Sequence, residues 1–205
     1  GYKQHIIKQW FADYFLHTSD ITFDFTNGNK MIVHKQHVEP WRVTIVDTGL
    51  NTMTGGRVKR IQKYIGNETF FLTYGDAVSD VNITKLLKFH KTHGKICTIT
   101  SVSIAQQKGV LDIDSDNNIT AFREKEDVDG AVINGGYMVC NPQIFDYIVG
   151  DQMVFEQEPM KKLAVDGQLK GFYHDGFWQC MDTKREKDML EEMWKSDKAP
   201  WKVWD

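Results

Sequence analysis

The chain has 205 residues and a formal net charge of −3, so it has no bulk electrostatic reason to bind a nucleic acid polymer or an anionic membrane. With 41% hydrophobic and 26% charged residues its usage is that of an ordinary globular protein, and 12% aromatics with six tryptophans exclude a disordered chain. Three cysteines, Cys97, Cys140 and Cys180, stand far apart and outside any Cys-x-x-Cys spacing, which argues against a disulfide framework or a zinc site and makes a reducing, cytoplasmic setting the default.

From the first residues, Ile6, Ile7, Trp10, Phe11, Tyr14 and Phe15 recur at helical spacing and predict one amphipathic helix over Tyr2 to Phe15. Ile21 to Phe25 alternates, Asn27-Gly28 is a hairpin signal, and Met31 to His34 is the returning strand. Trp41 to Val46 reads as a further strand. Thr54-Gly55-Gly56-Arg57 then opens a helix that runs to about Ile65. The aromatic run from Phe70 reads as a strand with Asp76 at its end, and Asn82 is an N-cap for a helix carrying Ile83, Leu86, Leu87 and His90. Ile96 to Val102 is a buried strand. Leu111 to Ile113 and Ile119 to Phe122 flank a polar turn and predict an edge hairpin. Ala131 to Cys140 is a strand interrupted by Asn134-Gly135-Gly136, Pro142 and Pro159 sit at helix starts, and Leu169 to His174 is a short strand. Phe177 to Met181 is a strand that delivers Asp182, and Lys184 to Trp194 is the last helix. No apolar run reaches the roughly 18 residues of a membrane span, and no signal-peptide pattern is present.

This alternation, without repeat, low-complexity segment or linker, predicts a single α/β domain over residues 1–205. The expected architecture is a Rossmann-like, doubly wound, mainly parallel mixed sheet with helices on both faces. In such a fold ligands lie beyond the carboxyl ends of strands, where Asp76 and Asp182 can meet around one hard cation beside a phosphorylated substrate. Each acid also fits a plainer role, Asp76 as a cap or turn residue near Asn82 and Asp182 as the cap of the last helix. The Thr54-Gly55-Gly56 turn offers backbone N–H groups at a helix start to an anion or a base carbonyl, a weak signal by itself. Lys125, after Glu124, is a mobile charge suited to a phosphate, although most such lysines are solvated surface. Asn134-Gly135-Gly136 marks either a close approach to the backbone or a bulge. The seven histidines form no metal spacing, and no Gly-x-Ser-x-Gly motif supports nucleophilic hydrolysis.

Taken in order, Val38-Glu39-Pro40-Trp41, Val46-Asp47-Thr48-Gly49, Met53-Thr54-Gly55-Gly56-Arg57, Thr73-Tyr74-Gly75-Asp76, Phe122-Arg123-Glu124-Lys125, Ile133-Asn134-Gly135-Gly136, Phe155-Glu156-Gln157-Glu158-Pro159, Gly176-Phe177-Trp178-Gln179, Met181-Asp182-Thr183 and Ala199-Pro200-Trp201-Lys202 span nearly the whole chain. This set resembles the sugar-1-phosphate nucleotidyltransferases, most closely the glucose-1-phosphate cytidylyltransferases. The resemblance implies the nucleotide-diphospho-sugar transferase fold and transfer of CMP from CTP to glucose 1-phosphate, with release of pyrophosphate, for dideoxysugar and O-antigen synthesis. It implies that Asp76 and Asp182 hold Mg²⁺, and that Lys125 grips the sugar phosphate. Glu124 would meet sugar hydroxyls, Gly135 would admit the sugar to the backbone, and Thr54, Gly55, Gly56 and Arg57 would face the cytosine, with Asn134 also lining the site. A homo-oligomer is also implied. Two other readings stand beside it: a non-catalytic sugar-nucleotide-binding or assembly subunit, and a related uridylyl- or thymidylyltransferase.

Family members begin with a strand, a glycine-rich loop and a helix that hold the triphosphate, and no counterpart stands in these 205 residues; Ala77 and Gln107-Lys108-Gly109 also depart from the family pattern. The expectation is therefore that this chain by itself does not turn over. Incubation with CTP, glucose 1-phosphate and Mg²⁺ should release no measurable pyrophosphate, and a phosphate-release assay checks this.

Overall fold

The computed structural model describes residues 1–36, 38–103, 110–113, 119–123 and 132–204. In chain order the helices and strands are α1 (Gln4–Ala12), α2 (Tyr14–Thr18), β1 (Ser19–Asp24), β2 (Lys30–Gln36), α3 (Thr54–Arg60), α4 (Gln62–Ile65), β3 (Phe70–Leu72), β4 (Ala77–Ser79), α5 (Ile83–His93) and β5 (Cys97–Ser103). They continue with β6 (Val110–Ile113), β7 (Ile119–Arg123), β8 (Val132–Cys140), a 3₁₀ helix (Pro142–Tyr147), α6 (Glu158–Val165), β9 (Leu169–His174), β10 (Trp178–Cys180) and α7 (Lys184–Lys195).

The central sheet has the order β3-β8-β5-β9. Strand β8 runs antiparallel to both β3 and β5, and β5 runs parallel to β9. Neighbouring residues of β5 show that helices cover both faces, because successive side chains on a strand point to opposite sides. Cys97 joins the cluster formed by Val58 of α3, Phe145 of the 3₁₀ helix and Met160 and Leu163 of α6. Thr98 bonds instead to His90 of α5. The α/β class and the mixed sheet are as expected, but the parallel share is small. Of the six described strand pairings only β5 with β9 is parallel, since β8 enters the middle of the sheet against the direction of both neighbours. Cys97 and Cys140, distant in sequence, are cross-strand partners with Sγ atoms 3.8 Å apart and unbridged. Among the described residues no helix is long and apolar enough to cross a membrane.

Two local expectations are corrected and a third is borne out. The first helix is two, because Asp13, a poor helix former with φ −96° and ψ 0°, caps α1 and starts α2 at a new angle. None of the α1 residues is buried. Trp41 to Val46 is not a strand: residues 38–49 pair with no described strand, and apolar alternation without a ladder partner leaves the backbone groups nothing to bond. The first hairpin forms as read, yet its turn spans residues 25–29 and is organised by Asp24. The Asp24 carboxylate accepts from the Thr26 hydroxyl at 2.6 Å, the Thr26 N–H at 2.9 Å and the Asn27 amide side chain at 2.9 Å. Those donors hold its carboxyl down to about 2, the Thr26 hydroxyl contributing most.

Beneath α5 the hydrogen bonds fix the tautomer of His93. The Lys95 N–H donates to His93 Nδ1 at 3.0 Å, so the proton of neutral His93 lies on Nε2 and points to Thr98 Oγ1 at 2.8 Å. The Thr98 hydroxyl then donates to His90 Nδ1, also at 2.8 Å. Protonating His93 would set a second N–H against that of Lys95. Burial chiefly, then His90, Lys170 and Lys95, hold the His93 pKa below its ordinary 6.5. The folded state thus binds fewer protons than the unfolded one, and the stability this confers is present above pH 6.5 and lost as pH falls below it. Urea unfolding between pH 5 and 8 should show this loss, and His93→Asn should flatten it.

Gly136, in the middle of β8, has φ +81°, and a Cβ there would lie 2.8 Å from Cδ2 of the Tyr74 ring. Gly136→Ala should therefore destabilise by about 1–2 kcal/mol from the backbone alone, and further from the ring. Gly150→Ala, with nothing within 4 Å and an ordinary backbone, should leave the urea midpoint nearly unchanged.

Candidate functional site

Strands β4 and β10 form a three-residue antiparallel ribbon in which Cys180 opposes Ala77. The pairing continues one step further, where the Met181 N–H donates to the Asp76 carbonyl at 2.8 Å. Asp76 therefore stands just before β4, not at the end of the Phe70 strand, and its main chain lies beside that of residues 181 and 182. Both acids are exposed. Neither is spent as a helix cap. Asn82 itself caps α5 by accepting from the Lys85 N–H at 2.9 Å. Thr183 caps α7 in a reciprocal pair with Glu186, whose carboxylate takes the Thr183 N–H at 2.8 Å. Among the described residues the Asp182 carboxylate accepts from the Cys180 thiol at 3.5 Å, whose pKa is pushed up by burial and then by Asp182.

Among the described residues no group of three or more His, Cys, Asp or Glu could hold a metal ion. A complete protein cage is thus not offered there. Two carboxylates at one ribbon end suit a small hard cation that keeps water and completes its shell with substrate phosphates.

The other expected residues are placed as follows. The Thr54 hydroxyl donates to Glu156 Oε2 at 2.8 Å and accepts from the Phe155 N–H at 2.8 Å. The Gly55 N–H is taken by the Met153 carbonyl at 2.9 Å, and Cβ atoms at Gly55 and Gly56 would lie 2.7 Å from that oxygen and 2.6 Å from the Asp151 Cα. The two glycines thus let the 151–153 segment lie against the start of α3. Arg57 donates to the Thr48 hydroxyl at 2.6 Å and the Leu50 carbonyl at 3.2 Å. Asn134 Oδ1 accepts from the Gly136 N–H at 2.8 Å. At Gly135 a Cβ would meet the Thr100 carbonyl and Val102 at 3.1 Å, so the chain itself fills that space. Glu124 and Lys125 lie outside the described residues.

Three side chains join these pieces that the sequence reading did not single out. The Trp178 indole donates to the Gly135 carbonyl at 2.7 Å, tying β10 to β8. The Tyr74 hydroxyl donates to Glu156, and burial first, then Glu156, raise the Tyr74 pKa well above its usual value. All three stand inside the motif segments quoted above, but separations of 43 and 82 residues leave no periodic signal that could pair them. A cleft of about 290 Å³ lined by Gln179, Thr183, Arg185, Glu186 and Met189 lies beside the start of α7.

The chain is similar to a glucose-1-phosphate cytidylyltransferase of Salmonella typhi, with 50% identity over 206 residues that cover 100% of this chain and 79% of that protein. It is 38% identical over 205 residues, with the same coverage, to a probable glucose-1-phosphate cytidylyltransferase of Bacillus subtilis strain 168. In fold it is similar to the crystal structure of HddC from Yersinia pseudotuberculosis, with a TM-score of 0.53 at 22% identity, over 71% of this chain and 64% of that one. Residues 25–193 match the pattern of the Nucleotidyl transferase family, and the chain belongs to that family.

Proposed function

We propose that the site serves transfer of a cytidylyl group from CTP to glucose 1-phosphate, giving CDP-glucose and pyrophosphate. The observation that carries this reading is the Met181 N–H bond to the Asp76 carbonyl, which sets two carboxylate-bearing segments side by side. Similarity at 50% identity over the full chain to a protein of that activity supports the choice of nucleotide and sugar.

In this reaction an oxygen of the sugar phosphate attacks the α-phosphorus of the triphosphate as the bond to pyrophosphate breaks. The protein mainly orients two anions in line. Asp76 and Asp182 would hold Mg²⁺, which when bound offsets charge on the phosphates. Lys125 would fix the sugar phosphate and Glu124 the sugar hydroxyls. The α3 start, with Thr54 and Arg57, would face the base, and Asn134 would also line the site. Base choice then follows from buried donors and acceptors that the wrong base leaves unpaired.

Calorimetric titration with CDP-glucose, UDP-glucose and dTDP-glucose in the presence of Mg²⁺ tests this without requiring turnover. CDP-glucose should bind roughly tenfold or more tightly than the other two. Equal affinities would remove the cytidine assignment, and binding of none would remove the nucleotide-sugar reading.

A further inference from the structure

We propose that Glu156 is a positioning residue for the Asp76–Asp182 crevice, acting through Tyr74; this deepens the nucleotide-sugar reading above and rests on it. Glu156 follows Phe155, whose side chain is 1% exposed and anchored in the main core. Its carboxylate divides its two oxygens between segments far apart in the chain. Oε1 accepts from the Tyr74 hydroxyl, and Oε2 accepts from the Thr54 hydroxyl at 2.8 Å, across 82 and 102 residues respectively. The Phe155 N–H closes the arrangement by donating to the Thr54 oxygen at 2.8 Å. Both bonds are solvent-exposed, so the tie acts through geometry, one side chain joining two distant segments.

What the tie holds is the approach to Asp76. Tyr74 packs its ring over Gly136, where a Cβ would come within 2.8 Å. Between Tyr74 and Asp76 stands Gly75, around whose Cβ position nothing lies within 4 Å. Packing therefore does not restrain the backbone at Gly75. The segment is pinned instead at two points, the Tyr74 hydroxyl on one side and the Asp76 carbonyl, bonded to the Met181 N–H, on the other. Releasing the first pin lets residues 74–76 shift while β4 stays paired.

Calorimetry with CDP-glucose and Mg²⁺ on Glu156→Ala, Tyr74→Phe and the double variant tests this, with urea unfolding run alongside. Each single variant should bind roughly 10- to 100-fold more weakly, the range seen when a supporting hydrogen bond behind a ligand group is removed. The double variant should bind no more weakly than the weaker single one, because both changes cut the same tie. Glu156→Gln, which keeps one acceptor oxygen, should lie between the unaltered chain and Glu156→Ala. Asn82→Ala removes the α5 cap, lowers the urea midpoint and should leave affinity unchanged. Unaltered affinity in Tyr74→Phe, additive losses, or an equal loss in Asn82→Ala would each overturn the positioning role alone. Failure of the unaltered chain to bind CDP-glucose would overturn the underlying reading together with it.

Discussion

The site depends on a ribbon only three residues long. Strands β4 and β10 pair through Ala77 to Ser79 and Trp178 to Cys180, and a two-stranded ribbon of that length has little stability of its own. Its neighbours hold it in place. The Trp178 indole bonds to the Gly135 carbonyl at 2.7 Å, the Tyr137 hydroxyl to the Ala77 carbonyl at 3.1 Å, and the Ser79 hydroxyl to the Phe177 carbonyl at 2.8 Å. The first two join the ribbon to β8 and the third ties its two strands to each other, so side chains support what the short ladder alone would not. The meeting of the Asp76 and Asp182 segments is a consequence of that support.

Burial is uneven along the chain, and the unevenness places the site. Phe145, Phe155, Met138, Ile144 and Leu163 are all nearly inaccessible and form one cluster around β8 and β5. By contrast Trp10, Phe23, Phe25 and Trp41 remain at least half exposed. The candidate site is built on the well-buried part, where Phe155 carries Glu156 and β8 carries Asn134. Rigid supports of this kind locate polar side chains better than loops do.

The capping residues matter for a less obvious reason. An aspartate before a helix is usually explained by the helix, and both Asp76 and Asp182 invited that explanation. Asn82 and Thr183 take those duties, which leaves the two carboxylates without a structural assignment at the helix starts. A similar division holds at α3. There the glycines answer to the close passage of residues 151–153, and Thr54 answers to Glu156.

Periodicity, capping chemistry and turn residues were enough to determine most elements from sequence alone: α5 behind Asn82, the hairpin around Gly28, β8 through its glycines and α7 behind Thr183. These are local properties, set by neighbours within a few residues. The failures were of another kind. Trp41 to Val46 has the composition of a strand but no partner among the described residues, and the direction of β8 within the sheet depends on contacts with β3 and β5 that no window of sequence contains. Motif order marked Asp76, Asp182 and Asn134, yet only the fold could bring Cys97 opposite Cys140, tie Tyr74 to Glu156, and set residue 76 beside residue 181. Long-range pairing leaves no period to read, because it is decided by which surfaces meet after the chain has packed.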